Sequence, residues 1–145
     1  MGKVTGHAPA VADKRVVIGV IGNDIHSVAN RILVIGLREN GYDVCNLGVN
    51  SMPDDFVEAA IEFDAHAVIV SSLNGEGEMW CRDLRRRMDD ADLPLIRLYA
   101  GGNLVVGSRD PDVVQALYES YGFDRAYHLT TDLEVLFRDL RQDLA

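Results

Sequence analysis

Asp24 and His26, two positions apart in the stretch Gly22-Asn23-Asp24-Ile25-His26-Ser27, have side chains suited to metal ligation. A neutral imidazole binds metal through one ring nitrogen. A carboxylate hydrogen-bonded to the other nitrogen fixes the tautomer and makes the free one more basic. Taken alone, a loop histidine is more often solvated, and a loop aspartate more often caps a turn or helix. Two other short stretches could serve the same ligand. Ser71-Ser72-Leu73 offers a hydroxyl to a polar group or to a strand-end backbone. Gly101-Gly102 either admits a flat group close to the backbone or makes a turn. Together the three stretches describe a slot floored by small residues with an imidazole at its mouth, a shape suited to a large flat cofactor.

These residues must be positioned by the elements around them. Val16-Val17-Ile18-Gly19-Val20-Ile21 is a continuous apolar run of β-branched residues, the pattern of a strand buried on both faces. Strands are expected over Arg15–Ile21, Tyr42–Leu47, Ala67–Val70, Leu95–Ala100 and Ala126–His128. Between them lie helices over about Val28–Glu39, after Ser51, over Glu78–Asp90, after Asp110-Pro111 and after Thr131-Asp132. Ile32, Leu33, Val34, Ile35 and Leu37 supply the apolar side of the first helix. Phe56, Val57, Ala60 and Ile61 do so for the second, and Met79, Leu84 and Met88 for the third. Ser51 is expected to cap the second helix, after a turn at Gly48-Val49-Asn50. Leu104–Gly107 follows the glycine pair too closely to form its own strand. The alternation predicts a single α/β domain with a doubly wound, five-stranded parallel sheet of order 2-1-3-4-5, flavodoxin-like or Rossmann-like. All three stretches then fall at the carboxyl ends of strands, where open α/β sheets bind ligands, near the switch point between strands one and three.

Bulk properties narrow the function further. The 145 residues carry a net charge of −9. That argues against nucleic acid or an anionic membrane as partner, because both require a concentrated basic face. Arg82 and Arg85-Arg86-Arg87 are interspersed with Asp83, Asp89 and Asp90, the pattern of a solvated helix face. Cys45 and Cys81 fit no metal pattern and read as packing residues. No signal peptide or membrane span is visible. Residues 1–14 read as a loosely ordered leader before a domain over 15–145, and the chain is expected to be cytoplasmic. A GxGxxG dinucleotide loop and a GxxxxGK[ST] phosphate loop are both absent. A phospho-receiver domain needs aspartate at the end of strand three, where Ser71 stands, and lysine near the end of strand five, where Tyr127-His128 stands.

The set Asp24-x-His26, Ser71-x-Leu73 and Gly101-Gly102 resembles the cobalamin-binding domain of cobalamin-dependent mutases and methionine synthase. The strings Gly19–Gly22, Ser71–Glu78, Gly101–Gly107 and Gly122–Arg125 are closer still to the small (sigma) subunits of glutamate mutases, also called methylaspartate mutases. The likeness runs from about Val16 to Leu140. It implies adenosylcobalamin as cofactor, with His26 as the lower axial ligand to cobalt and Asp24 orienting it. Asn23, Ile25 and Ser27 would line the same loop. Ser71, Ser72 and Leu73 would border the cofactor's displaced nucleotide tail, with Gly101 and Gly102 leaving it room. Asn103, Leu104, Val105, Val106 and Gly107 would lie along the same slot. The motif's final glycine is Ala29 in this chain, which adds a methyl group. The resemblance further implies an isomerase subunit with no catalytic residue of its own, completed by a larger barrel-type subunit and most simply acting on L-glutamate and 3-methylaspartate. A related mutase with another substrate, or a stand-alone corrinoid carrier or sensor, would present the same three stretches.

Overall fold

The structure, a computed structural model, describes residues 14–145. The leader expected over 1–14 lies outside these residues, apart from Lys14. Five strands, β1 (Arg15–Ile21), β2 (Asp43–Ser51), β3 (Ala67–Ser72), β4 (Arg97–Gly102) and β5 (Arg125–His128), form one sheet. Its order is β2-β1-β3-β4-β5 and every pairing is parallel. The helices are α1 (Val28–Glu39), α2 (Pro53–Phe63), α3 (Gly77–Cys81), α4 (Leu84–Asp90), α5 (Pro111–Ser120) and α6 (Leu133–Leu144).

Each face of the sheet has its own core. Val17, Ile21, Val68, Val70 and Leu98 pack with Phe56, Leu84, Met88 and Tyr118 from α2, α4 and α5. Val16, Ile18, Ile69 and Tyr99 pack with Val34, Leu37, Phe137 and Leu140 from α1 and α6. Covering both faces explains why β1 and β3 read as unbroken apolar runs, since each such side chain stabilises the fold by about 1.5–3 kcal/mol when buried. The last two helices begin where expected and on aspartate caps: the carboxylates of Asp110 and Asp132 accept from the Asp112 and Glu134 amides, at 2.9 and 3.0 Å. Among the described residues, no helix is long and apolar enough to cross a membrane.

Several expectations are corrected. β2 does not turn at Gly48–Asn50 but continues to Ser51 through an irregular register against β1, with Gly48 at φ +79°. Ser51 therefore ends a strand. Met52 is the residue capping α2, and its amide donates to the Asp55 carboxylate at 2.8 Å. The single helix expected over Glu78–Asp90 breaks at Arg82-Asp83 into α3 and α4, where Asp83 accepts from Arg86 and Arg87. β4 begins at Arg97, because Leu95 lies in the preceding connection with 90% of its surface exposed. Arg85 does not belong to a solvated face: it donates to the carbonyls of Gly122 and Ile96 and to Asp124. Ile32, Ile35, Ile61 and Met79 are exposed rather than packed inward. Cys45 is half-buried and Cys81 fully buried, and both are free.

Candidate functional site

The loop after β1 is held at both ends by the unforeseen extension of β2. The Gly22 amide donates to the Ser51 carbonyl at 2.7 Å, and the Asn50 amide donates to the Asp24 carbonyl at 3.0 Å. Gly22 is required twice over, with φ +80° and the Trp80 indole 2.5 Å from where a Cβ would sit. At the β2 irregularity, Asn46 accepts from the Gly48 amide and donates to the Asn30 amide oxygen at 3.0 Å, tying β2 to the first turn of α1.

The loop delivers a buried carboxylate and an exposed imidazole. The Asp24 side chain is fully buried, whereas that of His26 is 57% exposed. Asp24 Oδ2 accepts from the backbone amides of Leu73 (2.7 Å) and Asn74 (3.0 Å), across the gap between β1 and β3. Its Oδ1 accepts from the His26 amide (3.1 Å) and lies 2.6 Å from His26 Nδ1. Burial pushes the Asp24 carboxyl up. The hydrogen bonds from the Leu73 amide, the His26 ring, the His26 amide and the Asn74 amide outweigh that push and hold it below the ordinary value. An ionised carboxylate only accepts, so Nδ1 carries a proton, and the neutral tautomer selected in this way has its lone pair on Nε2. Among the described residues, no group of three or more His, Cys, Asp or Glu is placed to hold a metal ion. One oriented imidazole with no protein co-ligands suits a metal whose other ligands are brought by a cofactor.

Beside this loop, a cavity of ≈ 200 Å³ opens between α1, the carboxyl ends of β3 and β4, and the start of α6; Ala29, Ser71, Leu73, Gly101 and Gly102 line it. Ser71 is buried at the end of β3 and contributes to the cavity wall. The two glycines differ. A Cβ on Gly101 would meet nothing nearer than Tyr127 Cβ at 3.8 Å, so the fold leaves room for one there. Gly102 has φ +109°, and a Cβ would lie 2.4 Å from the Ser72 carbonyl, so the turn itself demands glycine. A hydroxyl-bearing residue on the cavity wall and a glycine with room beside it fit the tail of a large cofactor. Ala29 places its methyl on the same wall.

The remaining expected site residues are spread around this centre. Ser72 is fully buried, accepts from the Gly77 amide at 3.0 Å and shapes the loop without lining the cavity. Asn103, Leu104, Val105 and Gly107 line a second cavity of ≈ 260 Å³ on the α5 side, which shares Gly102, Tyr127, His128 and Leu129 with the first. Leu104 and Val105 are otherwise core residues, while Val106 is exposed. Asn23 and Ile25 are exposed beside His26, and Ser27 precedes α1 without making a side-chain cap. Tyr127, Leu129 and Leu133 are lining residues that the sequence reading missed. Their signal was position alone: Tyr127 lies in β5, and Leu129 and Leu133 follow it at the same sheet edge. The Tyr127 hydroxyl donates to Asp139 at 2.7 Å, which fixes the ring.

Residues 14–122 match the B12 binding domain family. The glutamate mutase sigma subunit of Treponema denticola is 45% identical over 129 residues, covering 89% of this chain and 93% of its own. That of Clostridium tetani is 46% identical over 131 residues, covering 90% of this chain and 96% of its own. Among solved structures, a cobalamin-binding protein from Desulfitobacterium hafniense superposes with a TM-score of 0.74 at 15% identity. That likeness covers 91% of this chain but only 59% of the solved one, and it speaks to the fold alone. With the Asp24–His26 loop, the switch point and the glycine pair all inside residues 14–122, the chain belongs to the B12-binding domain family, among its glutamate mutase sigma subunits.

Proposed function

We propose that this chain is the cobalamin-binding small subunit of an adenosylcobalamin-dependent carbon-skeleton mutase, an isomerase interconverting L-glutamate and 3-methylaspartate with a larger, barrel-type catalytic subunit. The observation that carries the reading is the exposed His26 ring, its Nδ1 held 2.6 Å from the buried Asp24 carboxylate, beside a cavity lined by small residues. His26 Nε2 would serve as lower axial ligand to cobalt, and Asp24 would set the tautomer and orientation of the ring. Ser71, Leu73 and Gly101 would border the nucleotide tail. When bound, adenosylcobalamin supplies the radical chemistry of the rearrangement, while the protein supplies orientation and shielding.

The substrate's two carboxylates call for cationic partners. At the cavities described above, the guanidinium present is that of Arg109, and it already pairs with Glu78 at 3.3 Å. Substrate binding is therefore assigned to the larger subunit, which would also cover the exposed side of the cofactor. The test is the visible spectrum of the purified chain with adenosylcobalamin, followed by turnover assays with the larger subunit. A base-off, histidine-on spectrum that disappears in His26→Gly, and glutamate turnover only when both subunits are present, are the expected results. A histidine-on spectrum surviving in His26→Gly, or turnover by this chain alone, would overturn the assignment.

A further inference from the structure

Helix α1 has more aliphatic side chains than its inner face can bury. Val34 and Leu37 point into the core, but Val28 is 69%, Ile32 52% and Ile35 58% exposed. Their spacing of four and three residues stacks them in a single stripe on the outer face, spanning about 10 Å of helix. Ile25, 72% exposed in the loop beside His26, extends the stripe at its upper end. Isolated exposed aliphatics are ordinary, whereas a contiguous patch marks an interaction surface.

We infer that this stripe is where the larger catalytic subunit docks; the inference rests on the function proposed above. Three observations select that occupant. First, the stripe is continuous with the cofactor site: Ile25 adjoins His26, and Ile32 itself lines the cavity that also contains Ser71 and Gly101. A subunit that covers the cofactor at this edge meets the stripe next. Second, Val106 and Leu129, in loops following β4 and β5 at the same sheet edge, are 69% and 58% exposed, so the apolar rim continues along that edge. Third, the charges along the stripe are mainly basic, with Arg31 and Arg38 along one side and Glu39 at the end, so a second copy placed stripe to stripe would set like charges together. The partner surface is accordingly apolar with an acidic fringe.

The experiment titrates the larger subunit into this chain loaded with adenosylcobalamin and reads the concentration giving half-maximal mutase activity. Ile35→Asp is the probe, because Ile35 is exposed and does not line the cavity. Ile61→Asp is the control, at a similarly exposed aliphatic on α2. Ile35→Asp is expected to keep the cobalamin spectrum of the unaltered chain and to raise the half-saturating concentration about tenfold or more, as loss of an interface anchor does. Ile61→Asp is expected to leave both unchanged. An unaltered half-saturating concentration in Ile35→Asp overturns the inference. So does gel filtration in which the unaltered chain self-associates through a contact that Ile35→Asp abolishes without changing that concentration. Failure of the unaltered pair to bind cobalamin or turn over substrate would instead count against the proposed function.

Discussion

Replacing Asp24 with asparagine removes one charge and almost no volume, and its consequences follow from the four donors around the carboxylate. The amides of Leu73, Asn74 and His26 and the His26 ring all donate to it. An asparagine has one acceptor oxygen and one NH2 group, so it can serve one pair of donors and must oppose the other. If the NH2 faces Leu73 and Asn74, two backbone donors lose their acceptor. If it faces His26, the ring must turn Nδ1 into an acceptor and move its proton to Nε2, the nitrogen needed for a metal. A hydrogen bond to a charged group contributes about 1.5–3 kcal/mol, and losing even one sets the expected destabilisation near 2 kcal/mol. Urea unfolding of the cofactor-free chain measures this. Cobalamin affinity should fall about 10–100-fold, as it does when a metal-ligating histidine loses its orienting partner. The pH dependence has a definite sign. The folded Asp24 carboxyl titrates below the ordinary value of 3.8, so its stabilisation is complete above that pH and is lost as pH falls through the lower, folded value. The stability gap between the unaltered chain and Asp24→Asn should therefore be constant at neutral pH and close on strong acidification. An unchanged urea midpoint together with an unchanged histidine-on spectrum would refute the assignment of His26's orientation to Asp24.

The two adjacent glycines should separate folding from binding. Gly101→Val leaves the unfolding midpoint within about 0.5 kcal/mol, since a Cβ has clearance there and a β-branched residue suits a strand. It should weaken cobalamin retention on gel filtration by filling the cavity. Gly102→Ala should cost more than about 2 kcal/mol, from the positive φ and the contact with the Ser72 carbonyl. Asn46→Ala breaks the bonds to Asn30 and Gly48 and should speed hydrogen exchange at the Gly22 and Asn50 amides, the two that fasten the His26 loop to the end of β2. Unaltered exchange at both amides would show that the irregular stretch of β2 keeps its shape without the asparagine pair.

Much of this architecture is legible in the residues because strong local signals agree with one another. The β-branched runs of β1 and β3, the aspartate caps of α5 and α6, and Gly122 at φ +94° after α5 each specify an element without long-range help. What is not legible depends on contacts distant in sequence. Gly48-Val49-Asn50 has the composition of a turn, yet pairing with β1 and the Asn46–Asn30 contact hold it as the end of a strand. Ser72 looks like its neighbour Ser71 in sequence. Strand alternation turns one hydroxyl toward the cavity and the other inward to the Gly77 amide. Likewise, Gly101 and Gly102 form one motif on paper but do different work. One leaves room for a side chain beside Tyr127, and the other makes a turn that only glycine fits. The apolar side of α1 is overread for a related reason: periodicity counts aliphatic residues, whereas only packing against α6 and the sheet decides which of them are covered.

The topology explains why so short a motif can hold an imidazole in a fixed orientation. A buried carboxylate costs several kcal/mol unless its oxygens are fully matched by donors. Within its own loop, Asp24 finds only His26. The other two donors, Leu73 and Asn74, are 49 and 50 residues away in sequence and come from the loop after β3. They are within reach because β1 and β3 are hydrogen-bonded neighbours and their connections leave toward opposite faces, opening a crevice between the two loops. The same residues placed between two strands without that crevice would leave the carboxylate either solvated or short of donors, and the imidazole free to rotate. The β1–β3 pair thus brings together the donors that hold Asp24 and, through it, the His26 ring. Changes that loosen the loop after β3, far from His26 in sequence, should therefore disturb the orientation of its ring, and with it the proposed cobalt ligation, as strongly as changes beside it.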